Sequence, residues 1–330
     1  MAQSHTFRSY IAKRCLYALI TLILVLSLNF FMFRVMPGSP AEVIGGVGRY
    51  QYEYQLQEVK RQFGLDKPLH EQYFLYIPNF LLGKFGYSFR TGSLVSHEIA
   101  QRLPNTLALS GFGIVLAVVF SVLIGPMSAV RYRKNSGKAI LIGSLLLYSI
   151  PPFWLGIVAI ILFAFQFSLF PLGGVMSVPP LEEAIPFMLD YLHHLILPGV
   201  CLAVYLMGVF TLVLRSGMIE EMGQDYVFTL RSAGVSTRSI TYKHMLRNAM
   251  LPWITSIGLN LGFMITGAFL IEVVFSYEGM GSLIIRSIFA RDYPVIQAIF
   301  FIVAIFVISC NLILDILYGF LDPRIKIAGM

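Results

Sequence analysis

Uncharged apolar stretches dominate the pattern of the chain, at Cys15–Phe33, Leu103–Val130, Ala139–Leu181, Leu195–Leu214, Asn248–Ile271 and Tyr293–Leu314. A helix that crosses a bilayer needs about 20 mainly apolar residues, so each stretch is long enough for one. The third, 43 residues long, has room for two. Pro171, Gly173, Gly174, Pro179 and Pro180 occupy its second half and argue against a helix there. The pattern predicts an all-α integral membrane protein with six spans, at about 12–34, 103–130, 139–167, 195–215, 250–273 and 294–316.

Two polar segments are sizeable. The first, 35–102, lies between the first two spans, and its amphipathic pieces Tyr52–Phe63 and His70–Leu82 predict two helices joined by a GLDKP turn, a small cap outside the membrane. The second, the loop 216–249, holds the block that runs from Gly223 to Pro252. Asp225 can cap a helix of about two and a half turns that stops at Gly234. Ser236 or Thr237 can cap a second, which carries Lys243, His244 and Arg247 until Pro252 opens the next apolar run.

Some positions inside the spans are conspicuous. Pro151 and Pro152 break or kink the third span, either as packing irregularity or at the border of a transport path. Gly258, Gly262 and Thr266 make a small-residue stripe, which suits packing within the chain or contact with a second, similar subunit. Asn311 and Asp315 share a face of the sixth span. Asp315 is near the end of its run, where it can reach the interface or pair with Arg324, the structural alternative to a functional acid.

Composition agrees: 57% of residues are hydrophobic, 12% are charged and the mean hydropathy is +0.76, values of polytopic membrane proteins. The net charge of +7 is explained by topology better than by nucleic acid. On one side, the N-terminal tail, the Arg131–Lys138 turn, the Arg215–Arg247 loop and the C-terminal tail hold fourteen basic residues against Glu220, Glu221, Asp225 and Asp322; the opposite loops hold ten basic residues and twelve acids. By the positive-inside rule both termini and the Gly223–Pro252 block are expected in the cytoplasm. No cleavable signal is expected, because the first apolar run is long and no small-residue cleavage site follows it. Cys15, Cys201 and Cys310 sit in apolar runs and read as small hydrophobes rather than disulfides or metal ligands.

The chemistry of an enzyme is missing from the sequence. It has no GxxxxGK[ST] loop, HExxH, CxxC pair or GxSxG elbow. His193 and His194, adjacent in sequence, read as a solvated loop end, and no metal site is expected. Any energy source must therefore be borrowed from a partner. A stand-alone secondary transporter or channel would need its own ion sites or an inverted repeat, and neither is visible.

The Gly223–Pro252 block resembles the cytoplasmic loop of ABC-importer permeases, with a short helix, a glycine and a later proline. The long form, with an HxLRN element at His244, Leu246, Arg247 and Asn248, is similar to the dipeptide, oligopeptide and nickel permeases. The resemblance covers nearly the whole chain through RVMPGSP (34–40), FGLDKPLHEQY (63–73), RLPNTLAL (102–109), IPPFWLG (150–156), RDYP (291–294) and NLILDILYGFLDPRIK (311–326). Phe228 departs from the pattern, since it stands where the family's EAA motif has its glutamate.

The resemblance implies a type I ABC importer permease fold in an inner or plasma membrane, and a transport subunit rather than an enzyme. The implied partners are a second homologous permease, two cytoplasmic ATPases that use ATP and Mg, and an external solute-binding protein facing the 35–102 segment. This chain would bind no cofactor of its own. The implied ATPase-coupling residues are Asp225, Tyr226, Phe228, Thr229, Arg231, Ala233, Gly234, His244, Arg247 and Asn248. Arg231, Lys243, His244 and Arg247 have an alternative as anchors at the lipid surface. Asn260, Thr266 and Asn311 are candidate polar groups of the path. Di- or oligopeptides are the expected cargo, with nickel chelates, glutathione or oligosaccharides as alternatives.

Overall fold

The computed structural model describes residues 2–35, 57, 61, 63, 64 and 66–321, with side chains at 9–33, 57, 61, 63, 64 and 66–317. Residues 36–40 of the RVMPGSP segment, nearly all of the helix expected over Tyr52–Phe63, and Asp322 and Arg324 lie outside the described residues. The elements are helices: α1 (Ala2–Val35), α2 (Leu69–Leu81), α3 (Val95–Val130), α4 (Asn135–Ser149), α5 (Pro152–Ala159), α6 (Ala184–Met222), α7 (Asp225–Ser232), α8 (Thr237–Ser239), α9 (Leu246–Gly262), α10 (Met264–Gly267), α11 (Phe269–Val274), α12 (Met280–Phe289) and α13 (Tyr293–Leu321). Wider π-helical turns extend α5 over Ile160–Gln166 and join α8 to α9 over Ile240–Met245.

Among the described residues, Ser9–Phe33, Val95–Val130, Ala184–Met222 and Tyr293–Leu317 are each apolar and long enough to cross a membrane. Two bent pairs raise the count to six if each is one span. Asn135–Ser149 with Pro152–Gln166 bends by 92°, and Thr237–Gly262 with Met264–Val274 by 68°. The first bend falls at the Pro151–Pro152 pair, as the sequence suggests, because the rings remove amide donors and forbid a straight continuation. No helix forms between Gln166 and Ala184, where the prolines and glycines of the third run lie.

Two compact units divide the chain, Met1–Pro104 with Gly279–Met330, and Asn105–Glu278. In the first, α1 and α13 pack along their lengths. Asn29 Nδ2 donates to the Gln297 carbonyl at 3.0 Å, and Arg14 pairs with Asp315 at 3.0 Å. Asp315 thus has an ion-pair partner in Arg14, whereas Arg324, the partner expected from the sequence, lies outside the described residues. An aromatic cluster of Phe30, Tyr76, Phe80, Phe85 and Phe301 holds α2 against this pair. Facing outward, α1 shows Leu16, Leu19, Ile23, Leu24 and Leu28, the surface of a helix that meets lipid rather than water.

The second unit is organised on α6, which buries Leu195, Leu202, Leu206, Phe210, Leu214 and Met218 along one side. Against it lie α4, α5 and α9. At Gly208 the α4 backbone comes so near that a Cβ would lie 2.8 Å from the Ser144 carbonyl oxygen and 2.9 Å from the Tyr148 nitrogen. Only a residue without a side chain fits there.

Helix ends differ from the sequence expectations in instructive ways. α3 begins at Val95 and α6 at Ala184, well before the apolar runs, because polar residues can extend a helix once their charges are paired, as in Glu98–Arg102 at 3.2 Å. Pro252 lies inside α9 and does not open a new element. His193 and His194 belong to α6 and not to a loop end: His194 is buried, with Nδ1 2.9 Å from the Asp190 carbonyl. The Gly258–Gly262–Thr266 stripe is interrupted, since the helix breaks at Phe263 and leaves Thr266 on α10.

Candidate functional site

The Gly223–Pro252 block folds as a short exposed helix slung between two packed ones. α6 ends at Gly223, and α7 follows after one further residue. Gln224 is the N-cap rather than Asp225, since its carbonyl accepts the first bond, from the Val227 amide at 3.0 Å. Asp225 sits in the first turn, where a negative charge favours the helix N-terminus. Gly234 ends the helix at φ +75°, a left-handed conformation costly for a residue with a Cβ. Ser236 caps α8, its hydroxyl accepting from the Ser239 amide at 3.3 Å.

One side of α7 is anchored and the other is open. Val227 is buried, whereas Asp225, Phe228, Thr229, Arg231, Ala233 and Gly234 are exposed, Phe228 at 75%. An aromatic ring this exposed on a short rigid helix is the kind of anchor that a partner pocket takes. Tyr226 and Asn248 point elsewhere: both donate to Glu221 Oε2 at the end of α6, Asn248 Nδ2 at 3.0 Å. Burial, with the Glu221 carboxylate beside it, pushes the Tyr226 phenol up to about 12. His244 is half-buried on the π-helical turn, and Arg247 is exposed at the start of α9. Six of the ten candidates, Asp225, Phe228, Thr229, Arg231, Ala233 and Gly234, thus lie on the open side, Tyr226 and Asn248 meet at a joint with Glu221, which the sequence reading did not single out, and His244 and Arg247 stand apart from both.

The path candidates are not gathered at one place. Asn260 lines a cavity of about 70 Å³ with Ser110, Pro152, Tyr205, Phe263 and Met264, at the bends of both broken helices. Its Nδ2 donates to the Ser256 carbonyl at 2.8 Å. Thr266 is exposed, its hydroxyl donating to the Phe263 carbonyl at 3.1 Å. Asn311 is exposed on α13, in the other compact unit. Gly258 and Gly262 are buried in α9. Among the described residues, no group of three or more His, Cys, Asp or Glu could hold a metal ion.

Sequence reasoning passed over three buried acids, Glu98, Glu272 and Asp292. Glu272 of α11 is fully buried and accepts from the Thr106 hydroxyl at 2.5 Å. Nearby, Asn105 Nδ2 donates to the Glu278 carbonyl at 2.7 Å, so RLPNTLAL supplies two adjacent ties to the region after the second bend. Asp292, of RDYP, is 1% exposed and accepts from the Ser88 hydroxyl at 2.5 Å, the Phe89 amide at 2.9 Å and the Arg90 amide at 3.2 Å. Burial raises its carboxyl above the ordinary aspartate range, against the pull of these donors. The signal was available for Glu272: it is a lone acid with apolar residues on both sides.

Two family models cover the chain. Residues 91–327 match the binding-protein-dependent transport system inner membrane component, and residues 7–110 match the N-terminal part of such membrane components. Among curated relatives, the di/tripeptide transport system permease protein DppB of Pseudomonas aeruginosa is 36% identical over 96% of this chain and 98% of its own length. The oligopeptide transport system permease protein AppB of Bacillus subtilis is also 36% identical, over 96% and 99%. The glutathione transport system permease protein GsiC of Salmonella paratyphi A is 35% identical over the same shares.

Proposed function

Because this chain belongs to the family of binding-protein-dependent transport system inner membrane components, we propose that it is the permease subunit of an ATP-driven importer of di- or oligopeptides. The peptide cargo follows from the relatives, whose names include di/tripeptide and oligopeptide permeases at 36% identity over nearly the full chain. In this reading the chain supplies half of the pathway and a second, homologous permease the other half. Each bent pair is one of six spans, both termini are cytoplasmic in an inner or plasma membrane, and residues 35–102 face the solute-binding protein. Two cytoplasmic ATPases bind and hydrolyse ATP with Mg; this chain is not an enzyme and holds no cofactor.

The observation that carries the mechanism is α7, open on the Phe228 side and flanked by helices packed in the core. A short helix tied to two spans can turn closure of an ATPase pair into a tilt of those spans. The ATPases drive the change only if they grip the two permease states with different affinity. Phe228, Thr229 and Arg231 form the face that would enter the ATPase, with Asp225 at its leading turn.

The test is transport and substrate-stimulated ATP hydrolysis by the assembled importer in proteoliposomes. Phe228→Asp, Asp225→Lys and Gly234→Val are each expected to lower both by about tenfold or more, while membrane insertion is unchanged; loss of a central aromatic anchor costs on the order of 2 kcal/mol or more. Unchanged activity in all three overturns the assignment of α7. The cargo is tested by thermal-shift screening of the cognate binding protein. Stabilisation by dipeptides or oligopeptides supports the reading, whereas stabilisation by glutathione alone would move the chain beside GsiC.

A further inference from the structure

We propose that Glu221, Tyr226 and Asn248 form a joint that makes α7 move as one body with the end of α6 and the start of α9, so that these three are positioning residues for transport and not contacts to the ATPase. The proposal rests on the importer reading above and assigns work to groups inside this chain.

Three helix ends meet at one oxygen. Glu221 is in the last turn of α6, Tyr226 in the first turn of α7 and Asn248 in the first turn of α9. The Tyr226 hydroxyl and Asn248 Nδ2 both donate to Glu221 Oε2, and Asn248 Nδ2 also lies 3.4 Å from the Tyr226 oxygen, closing a triangle. Bonds to an ionised acceptor are stronger and more directional than neutral ones. Tyr226 keeps its proton throughout the neutral range, since its phenol is pushed up to about 12.

The backbone does not supply this rigidity by itself. α7 is joined to α6 through Gly223 and Gln224, and to α8 through a link that contains Gly234 at positive φ. Two glycine-bearing links would let a short helix pivot when pushed. Besides the triangle, α7 is seated by buried Val227. One apolar side chain fixes position but not angle; a second, offset attachment fixes both. Beneath the triangle the platform is firm: Met218, Met245 and Ala249 are buried, and a Cβ on Gly217 would lie 3.4 Å from the Ala249 Cβ. A push received on the Phe228 side is thereby delivered to α6 and α9 together.

The test uses the assembled importer and separates three readouts: co-purification of the ATPase subunits, basal ATP hydrolysis, and peptide transported per ATP hydrolysed. Tyr226→Phe removes only the hydroxyl. It is expected to leave assembly and basal hydrolysis within about twofold and to lower transport per ATP by about tenfold, the scale of a hydrogen bond to a charged group. Glu221→Gln keeps an acceptor for Tyr226 and should retain most of the coupling, whereas Glu221→Ala should lose as much as Tyr226→Phe. Since both remove the same triangle, their combination should be no worse than either alone. Asn248→Ser, which shortens the donor without touching α7, approaches the joint from α9 and should show the same fall.

An unchanged transport-to-ATP ratio in Tyr226→Phe and Asn248→Ser overturns the joint, as do additive effects in the double variant. Loss of the ATPases from Tyr226→Phe also overturns it, since Tyr226 would then be a partner contact. Phe228→Asp distinguishes the two levels. If it abolishes ATPase binding while Tyr226→Phe changes nothing, the joint fails and the importer reading stands; if it leaves ATPase binding intact, the importer reading of α7 fails.

Discussion

Asp292 and Glu221 each collect donors from other elements of the chain, but at different degrees of exposure. Asp292 is 1% exposed and takes two backbone amides and a hydroxyl from residues 88–90. Glu221 is half-exposed and takes two side-chain donors at the edge of the fold. The chemistry is the same, and the consequences differ. A buried acceptor that is lost leaves its donors without water, so its removal is felt as stability. At a wet site water replaces the lost bond, so the removal costs little stability and is felt as a freedom of orientation. The first arrangement fixes a loop; the second is the joint proposed to transmit a movement.

The largest expected effect follows from Asp292. Asp292→Ala should lower unfolding stability by about 3–5 kcal/mol, because it takes a buried acceptor away from the buried Ser88 hydroxyl and from the amides of Phe89 and Arg90 together. Thermal unfolding of the purified protein in detergent measures it. Asp292→Asn keeps one acceptor oxygen but turns an amide donor towards other donors, so it should fall between wild type and alanine. A cost below about 1 kcal/mol for alanine would place Asp292 with the surface acceptors and dissolve the contrast.

A second prediction concerns the platform on which Glu221 rides. If α6 is rigid, a Cβ forced between it and α4 cannot be absorbed. Gly208→Val puts that atom 2.8 Å from one backbone atom and 2.9 Å from another. Destabilisation of about 1–3 kcal/mol is expected from overpacking, again by thermal unfolding. Near-wild-type stability would mean that α4 and α6 slide freely, and a soft α6 could not carry the joint's displacement.

Much of this architecture could be read in the chain because lipid imposes a coarse demand. Apolar length alone marks where the long helices lie, and Pro151–Pro152 and the Pro171–Pro180 region mark a bend and a helix-free stretch. Helix ends were less legible. The search for uncharged runs stops at the first charge, whereas Glu98 and Arg102 neutralise each other within α3. The bend at Phe263 has no proline to announce it; it lies beside Gly262, in a stripe that could equally have been packing. At the candidate site, the stop of α7 and the cap of α8 were legible because they are local chemistry: Gly234 takes a positive φ and Ser236 accepts from the Ser239 amide three residues on. The separation of the open α7 face from the joint of Tyr226 and Asn248 with Glu221 was not. Tyr226 meets Asn248 across 22 residues through an acid on a third helix, and no periodicity carries that information.

Between the two extremes stands Asp315, whose expected effect is small. Its pair with Arg14 is 3.0 Å long, with side chains 27% and 39% exposed, and the Tyr10 hydroxyl donates to its backbone carbonyl at 3.1 Å. A partly exposed pair of this kind is worth under about 1 kcal/mol. Arg14→Gln should therefore shift thermal unfolding only slightly, and raised salt should shrink even that difference, since mobile ions screen a pair open to solvent. If burial decides what a carboxylate is worth in this chain, the order of destabilisation is Asp292→Ala, then Asp315→Asn, with Glu221→Ala close to wild type in stability but separable from it in transport. Measuring all three in one detergent and one salt series makes the comparison quantitative. An Asp315→Asn variant as unstable as Asp292→Ala would show that anchoring α1 to α13, and not exposure, sets the scale.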